Sequence, residues 1–460
     1  MREFDTITIG AGGGAYPAAF RLARAGHKVA MVDVKGVLSG NCLAEGCVPS
    51  KAVREVAATY HRMTRAAAMG LSGALEVSYE QVLAHKTRVQ TLRYQQHDLE
   101  LAASSEQLQL IKGRASLLDP HTVEVHTDGA ARRLTAATII VASGSDISIP
   151  PIPGADLCIT SRDLFALDAT LKDLPRRLVI VGAGYIGLEV ASMLHTFGVS
   201  VEVLEMTDQI LPGMDPRFAQ LLASLLDPGI VIRLGARVAR IDRSAAGLVV
   251  SYSTTDGPAT STADQVLLAV GRHPVLPDGL SEAGITVASG RPLVNPALQT
   301  NLPHVYATGD VNGLSMLFHS AVRQSLTAST SILNGNHASD SFDPDAVPTT
   351  IFTMPEAAYV GLLPARAAAA GVPLVESAYS FTEDSRAQIM DDTGGEIRLF
   401  FAPQSLRLLG GWVVGIDAAN LIGEIGTSVA AGLTAHQLAR FSDQHPMASE
   451  GIGKSARQLV

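Results

Sequence analysis

Residues 6–33 read TITIGAGGGAYPAAFRLARAGHKVAMVD, and residues 178–205 read LVIVGAGYIGLEVASMLHTFGVSVEVLE. Both follow one plan: a short β-rich run, a glycine-rich turn, a helical stretch, and a second β-rich run that ends in an acid. The first helix is expected to run to about Ala25 and the second to Phe197. The closing runs, Lys28 to Asp33 and Ser200 to Glu205, supply the acids. Glycines in such a turn let backbone approach a pyrophosphate, and the following helix offers it free N–H groups and a positive dipole end. Gly10, Gly12 and Gly14 serve the first turn, with Ala15 in place of the third motif glycine; Gly182, Gly184 and Gly187 serve the second. Strand before, helix after and acid about twenty residues on make each motif strong, where a lone glycine turn is weak. Two copies imply two dinucleotide cofactors. A carboxylate at Glu205 accepts a ribose diol and repels a 2′-phosphate, and Met206 to Gln209 bring no arginine. The second cofactor is therefore expected to be NAD and not NADP.

At 460 residues the chain exceeds one compact core, and about three domains are expected. With 47% apolar and 17% charged residues, buried sheet-containing domains are favoured over disorder. The net charge of −9, without basic clusters, argues against nucleic acid as a partner. No apolar run is long enough to cross a bilayer, and Phe4 to Ile9 leads straight into a strand instead of a signal peptide, so a cytoplasmic location is expected. Between the glycine motifs, helical segments are expected near 50–69 and 79–105, and short strands from Leu108 to Val141. Residues 144–154 read as a crossing linker. The resulting division is 1–147, 148–271, 272–341 and an α+β unit at 342–460.

Residues 40–51, GNCLAEGCVPSK, hold two of the three cysteines. On a regular helix Cys42 and Cys47 would be about 7.5 Å apart along the axis and face different ways, too far for a bond, so the backbone between them must be irregular. Gly46 provides a permissive position. Pro49 suits the first turn of a helix through Lys51 and Val53, which puts Cys47 at a helix start, where thiolate is favoured. No second cysteine pair or nearby histidines complete a zinc site, so no metal is expected. A close pair in a reducing compartment reads as redox-active, with a structural disulfide as the plainer alternative. Cys158 has no partner and reads as a small core or surface residue.

With the glycine turns and this segment, the chain resembles the class I pyridine nucleotide–disulfide oxidoreductases, and among them the dihydrolipoamide dehydrogenases most closely. The resemblance spans nearly the whole chain. It includes Ala142-Ser143-Gly144-Ser145, Gly271-Arg272-His273-Pro274, Thr308-Gly309-Asp310, Phe352-Thr353-Met354-Pro355-Glu356 with Val360-Gly361, and His445-Pro446-Met447-Ala448-Ser449-Glu450. It implies an α/β fold with two Rossmann-like domains, one for FAD and one for NAD, plus a C-terminal α+β dimerisation domain. It also implies Cys42 as the interchange thiol and Cys47 as the thiol against the flavin. Lys51 and Glu189 match a pair beside flavin N5; without the resemblance, Glu189 reads as a first-turn helix acid and Lys51 as a solvated lysine. Asp33, Gly113, Ser143, Gly144, Gly309, Asp310, Met316, Leu317 and His319 fall on the FAD side. Tyr185, inside the second glycine turn, matches an aromatic lid over nicotinamide, and Gly271 closes that domain.

The same resemblance makes His445 the acid–base group, oriented by Glu450, and has the dyad reach the cysteines of a second copy in a homodimer. It implies oxidation of dihydrolipoyl groups, free or on a lipoyl-bearing carrier protein, with reduction of NAD⁺. The alternatives are an NADH-dependent reductase of another disulfide or metal, as in mercuric reductase, and a flavin redox sensor without turnover. Mercuric reductase carries a further C-terminal cysteine pair, and this chain has no cysteine after Cys158. Two departures stand out. Glu45 adds a negative charge between the cysteines, with the expectation that it raises their pKa values or disfavours anionic substrates. Phe318 to Gln324 differs from the usual helix facing the cofactors.

Overall fold

The computed structural model describes residues 2–127 and 129–460. Its first sheet forms around β1 (Phe4–Ile9), followed by α1 (Tyr16–Arg24), β2 (Val29–Asp33), α2 (Gly40–Ala44), α3 (Cys47–Arg65) and α4 (Tyr79–Ala103). Strands β3 (Leu108–Lys112), β4 (Arg114–Asp119), β5 (Thr122–Thr127) and β6 (Ala130–Val141) complete the order β3-β2-β1-β6-β5-β4. β1, β2, β3 and the end of β6 pair in parallel; one face of this sheet packs on α1 and α8, the other on the antiparallel strands β4, β5 and the start of β6. The start of β6 turns away to pair antiparallel with β5, so this one long strand serves two layers.

β7 (Ser145–Ile147) and α5 (Ser161–Phe165) carry the chain into the second unit. There β8 (Arg177–Val181), α6 (Tyr185–Thr196), β9 (Ser200–Leu204), α7 (Pro216–Leu225) and β10 (Val231–Arg233) precede a three-stranded antiparallel meander, β11 (Arg237–Ser244), β12 (Gly247–Thr254) and β13 (Gly257–Ala263). β14 (Gln265–Leu268) completes a parallel sheet in the order β10-β9-β8-β14. β15 (Arg272–Pro274) pairs back onto β7, a short pair β16 (Val287–Ala288) and β17 (Arg291–Pro292) follows, and β18 (Val305–Ala307) joins β6 in parallel. Residues 305–307 thus return to the first sheet, and α8 (Phe318–Leu333) packs on α1.

The last unit holds β19 (Thr349–Ile351), β20 (Ala357–Gly361), α9 (Pro364–Ala369), β21 (Val375–Ser380), α10 (Ser385–Ile389), β22 (Gly395–Phe401) and β23 (Leu408–Gly415). Its antiparallel order is β19-β20-β23-β22-β21, with α11 (Ala418–Ala430), α12 (Ala435–Arg440) and α13 (Glu450–Arg457) closing one core of its own. The α/β class with two dinucleotide folds and a C-terminal α+β unit is as expected from the sequence.

Both glycine turns rest on one steric fact. Gly10 has φ +110° and Gly182 φ +105°, and an added Cβ would stand 2.2 Å from the Ala142 carbonyl or 2.5 Å from that of Ala269. Only glycine fits the point where the turn crosses the neighbouring strand. Ala15 is tolerated because it lies fully buried at the start of α1 without such a clash, whereas a Cβ at Gly187 would meet Gly182 O at 2.0 Å. Two details differ from the sequence reading. Glu189 stands beyond the first turn of α6, so a helix-dipole role does not account for it. Gly46 has φ −126°; it is favoured for space, since a Cβ would lie 2.9 Å from Asn41 O.

Candidate functional site

A continuous cleft of about 1560 Å³ runs between the two dinucleotide folds. One end is lined by Gly12, Gly13, Gly14 and Asp33, the other by Gly182, Gly184, Glu205 and Met206, and Cys42, Cys47, Lys51 and Glu189 lie along it. Ser143, Gly144, Gly271, Gly309, Asp310, Met316, Leu317, His319 and Tyr185 also line it. Gly10, Ala15 and Gly187 do not; they shape the turns beneath. Gly113 is also outside the lining, but its N–H donates to the Asp33 carbonyl at 2.9 Å, holding the strand end that bears the carboxylate.

The fit to two dinucleotides can be tested on the turns. A Cβ at Gly184 would meet no protein atom within 4 Å, and one at Gly12 only the Cα of Gly40 at 3.9 Å. Each would fill the space a pyrophosphate needs. Neither α1 nor α6 has a side-chain cap. Among the described residues the first N–H groups of α6 have no partner and are free for an anion. In α1, Tyr16 N–H donates to Gly12 O (3.0 Å), Pro17 has none and Ala18 N–H donates to the Ser325 hydroxyl (2.8 Å), so there an anion is met by the glycine turn itself. Asp33 accepts from the N–H groups of Ala11 (3.2 Å), Lys35 (2.8 Å) and Gly36 (3.0 Å). Glu205 accepts from Ala183 N–H (2.8 Å) and from both the N–H (2.9 Å) and hydroxyl (3.0 Å) of Thr207. Each carboxylate thereby braces its own glycine turn and retains lone-pair capacity for a ribose hydroxyl. The residues fit both groups.

The cysteine segment is two helices meeting at a corner. α2 ends at Ala44, the chain bends at Glu45–Gly46, and α3 begins at Cys47. This is the irregular backbone expected, and the bend lets the sulfurs meet. They are present as two thiols, with Cys47 exposed to the cleft and Cys42 half-buried. A hydrogen bond from Cys42 stabilises the Cys47 thiolate and lowers its pKa against the opposing effect of desolvation; the Lys51 ammonium adds to the lowering. The same hydrogen bond, with burial, pushes Cys42 far upward, so Cys42 holds the proton. Lys51 Nζ lies 2.8 Å from Glu189 Oε2 and 4.5 Å over the Phe352 ring, and Glu189 Oε1 accepts from Phe352 N–H at 3.0 Å. Lys51 is therefore no free surface lysine; the buried carboxylate fixes its head beside the thiolate.

Asp310 accepts from the Ser145 hydroxyl (2.6 Å), and burial raises its pKa. Arg272 grips Ser145 through its hydroxyl (2.9 Å) and carbonyl (3.0 Å), and Asn41 donates to the same carbonyl (2.8 Å). Tyr185 hydroxyl meets Tyr359 hydroxyl at 2.7 Å, which ties the second glycine turn to the C-terminal sheet. His319, exposed, bonds the Pro348 carbonyl at 2.6 Å, and the departing segment 318–324 is helical all the same.

The charge expected of Glu45 is corrected. Its carboxylate is buried and held by Arg162 Nε and Nη2 at 2.9 and 3.0 Å and by Lys35 at 3.2 Å. Burial alone would raise its pKa, but these cations, Arg162 foremost, hold it below the usual value. The negative charge is neutralised before it reaches the thiols. Arg162 was not singled out in the sequence because it lies on α5, with nothing local to mark it. Arg237 was missed likewise. β11 brings it into the cleft lining, next to Ala236, whose N–H donates to Glu205 O at 2.7 Å.

His445 Nδ1 lies 2.9 Å from Glu450 Oε1, which also accepts from Met447 N–H at 3.1 Å; Lys454 reaches Oε2 at 3.4 Å. Burial works against ionisation of Glu450, yet these donors keep its pKa low. The dyad is formed, with the imidazole largely exposed, but neither residue lines the cleft of its own chain. Cys158 is half-buried and unpaired, its pKa pushed up to about 11 by burial. Among the described residues no group of three or more His, Cys, Asp or Glu is arranged to hold a metal, and no helix is long and apolar enough to cross a membrane.

Two dinucleotide turns facing one dithiol define a disulfide oxidoreductase. Residues 4–325 match the family model for pyridine nucleotide-disulphide oxidoreductases, and residues 347–456 match that family's dimerisation domain. The chain belongs to this family, whose cofactors are FAD and NAD(H). It is 31% identical over 461 residues to a dihydrolipoyl dehydrogenase of Vibrio cholerae, covering 98% of this chain and 94% of that one. Among solved structures it is similar to LpdA of Mycobacterium tuberculosis (TM-score 0.89, 26% identity, 99% of each chain). It is also similar to a HOCl-induced flavoprotein disulfide reductase, RclA, of Escherichia coli solved as a Cu(II) complex (TM-score 0.86, 26% identity, 100% of each chain).

Proposed function

We propose that the chain is a dihydrolipoyl dehydrogenase that oxidises a dihydrolipoyl dithiol and reduces NAD⁺, acting as a homodimer. The observation that carries this reading is the corner between α2 and α3, which brings Cys42 and Cys47 together on the wall of the cleft, with Cys47 exposed beside the Lys51–Glu189 pair. Bound in the cleft, FAD supplies a two-electron relay between this dithiol and the nicotinamide.

In the thiol half of the reaction, one substrate sulfur attacks Cys42, forming a mixed disulfide and breaking the Cys42–Cys47 bond. Cys47 leaves as a thiolate, and Lys51 and the Cys42 side of the corner stabilise it. The second substrate sulfur then displaces Cys42, which takes up a proton, and the substrate departs as its cyclic disulfide. The proton released by the attacking thiol goes to an imidazole, and the His445–Glu450 dyad of a second copy is its acceptor in this reading. Glu450 bonds Nδ1 and so leaves Nε2 as the base. Asp33 and Glu205 are read as the ribose-binding acids, Asp310 as the group toward the ribitol, and Tyr185 as the lid over nicotinamide. A lipoyl-bearing carrier is the proposed protein partner, free dihydrolipoamide the minimal substrate.

The test is turnover by the purified protein. Dihydrolipoamide with NAD⁺ should be the best pair in a panel that also offers NADH with lipoamide, glutathione disulfide, Hg²⁺ and Cu²⁺. His445→Ala should lose thiol turnover by about 10²-fold or more while the absorbance of bound FAD is kept. Preference for NADH with a different disulfide or a metal ion would replace this reading with the second one. That second reading is an NADH-dependent reductase, and the full-length likeness to RclA favours it.

A further inference from the structure

Helix α4 buries an unusual stripe. Beyond Val82 its buried residues are Lys86, Gln90 and His97, all polar and on one face. Each grips the backbone or cap of another segment. Lys86 Nζ donates to the carbonyls of Phe165 (3.3 Å) and Ala166, at the C-terminus of α5. Gln90 Nε2 donates to the carbonyls of Leu43 and Ala44, both at 3.0 Å, at the C-terminus of α2. His97 Nε2 lies 3.0 Å from the hydroxyl of Ser39, the N-cap of α2. Its Nδ1 lies 3.0 Å from the Glu100 carboxylate, which can only accept; Nδ1 therefore carries the proton and Nε2 receives the Ser39 hydroxyl.

Apolar packing holds helix α2 only weakly, and between its ends Asn41 donates to the Ser145 carbonyl and accepts from Lys35, both at 2.8 Å. The helix spans five residues, and Leu43 is the one buried among them. So short a helix cannot satisfy its own end carbonyls, which Gln90 takes over. Its other end is set by Ser39 at φ 70°, a conformation an L side chain rarely adopts, stabilised by the bond to His97. Tyr16 closes the network, its ring edge-on to His97 at 5.8 Å. Directional polar contacts therefore locate α2 where apolar packing usually locates a helix.

We infer that Gln90 and His97 are positioning residues for Cys42: they hold α2 at its two ends and so fix the Cys42 sulfur against Cys47. The consequence for turnover rests on the proposed role of the cysteines; the placement itself does not, and it is read on the thiols directly. Holo-protein reduced with dithiothreitol and freed of it is treated with iodoacetamide at one pH, and labelling at Cys42, Cys47 and Cys158 is followed by peptide mass mapping. Gln90→Met and His97→Leu should each raise the Cys42-to-Cys47 labelling ratio by about ten-fold, with Cys158 labelled at its usual rate. His97→Gln, which can still accept from Ser39, should stay near the wild-type ratio. Ser39→Gly relaxes the backbone but removes the hydroxyl; it should raise the ratio, and adding His97→Leu to it should raise it no further.

Wild-type ratios in Gln90→Met and His97→Leu would overturn the inference. So would an equal effect of His97→Leu with and without the Ser39 hydroxyl. Should His97→Leu fail to fold, Ser39→Gly and His97→Gln decide the matter alone: a raised ratio in the first and a wild-type ratio in the second support it, and any other pair of results overturns it. A protein that ignores dihydrolipoamide yet shows these ratios leaves the positioning role standing and removes only the proposed substrate.

Discussion

Arg162→Met removes the chief compensation of Glu45, and with it the bond from Nη2 to the exposed Asp146 carboxylate at 2.9 Å. The substitution keeps most of the side-chain stem and removes two charge-assisted hydrogen bonds, at 2.9 and 3.0 Å, from a carboxylate whose side chain is 7% exposed. Breaking a fully buried pair costs about 3–5 kcal/mol. Here Lys35 remains at 3.2 Å and Arg162 itself is 48% exposed, so solvent already screens the pair. A loss of about 1–2 kcal/mol is expected, which lowers Tm by about 2–4 °C for each kcal/mol in a unit of this size. The carboxylate left behind is no longer neutralised at the corner between the cysteines, so the Cys47 thiolate should become harder to form.

The assay is a cycle of Arg162→Met, Glu45→Gln and the double variant in holo-protein, followed by thermal unfolding and by the pH dependence of Cys47 alkylation. The double variant should recover most of both losses, because the buried charge goes with its partner. The pH dependence of stability follows from the same pair. Glu45 has a folded pKa below its unfolded value, so its contribution is fully present above about pH 4.3 and fades as pH falls through the depressed folded value. Glu45→Gln should flatten that acid limb. If the double variant is as unstable, and its Cys47 as unreactive, as Arg162→Met alone, then packing of the arginine stem matters and its charge does not.

Lys51→Met should move the alkylation pH profile of Cys47 upward by about one unit, since the ammonium is one of the forces that lower that thiol, while Lys51→Arg should restore most of the shift. With the wild-type protein, kcat/KM should favour NADH over NADPH by about ten-fold or more; Glu205→Gln should narrow the gap by admitting a 2′-phosphate near Arg237, and Glu205→Gln with Arg237→Ala should lose what was gained.

What the sequence disclosed were features whose cause lies within about thirty residues. The turns at Gly10 and Gly182 were readable because strand, turn, helix and acid follow one another directly, although the strands that demand glycine there, at Ala142 and Ala269, lie far along the chain. The corner between Cys42 and Cys47 was readable because five positions on a regular helix cannot bring two sulfurs together. The meander β11–β13 escaped notice because many of its side chains are exposed and its alternation carries little apolar signal. Glu45 was misjudged because its partner Arg162 lies 117 positions along the chain, and a charge without its partner looks free. His97 escaped for the same reason, as Ser39 is 58 positions away and nothing on α4 marks that face as buried.

The geometry also separates two tasks that the sequence presents together. The preference for thiolate at Cys47 arises inside one chain, from Cys42, from Lys51 and from the helix start at α3. The dyad at His445 adds nothing to it there, because it does not line that chain's cleft. Storing an electron pair on the sulfurs therefore needs only one copy, with the proton already held by Cys42. Exchange with an outside dithiol has a further requirement, since an attacking thiol must lose a proton and Cys42 cannot take it while bonded to Cys47. Placing the acceptor on the dimerisation domain would make exchange conditional on assembly, and a lone chain could hold reducing equivalents without passing them to thiols.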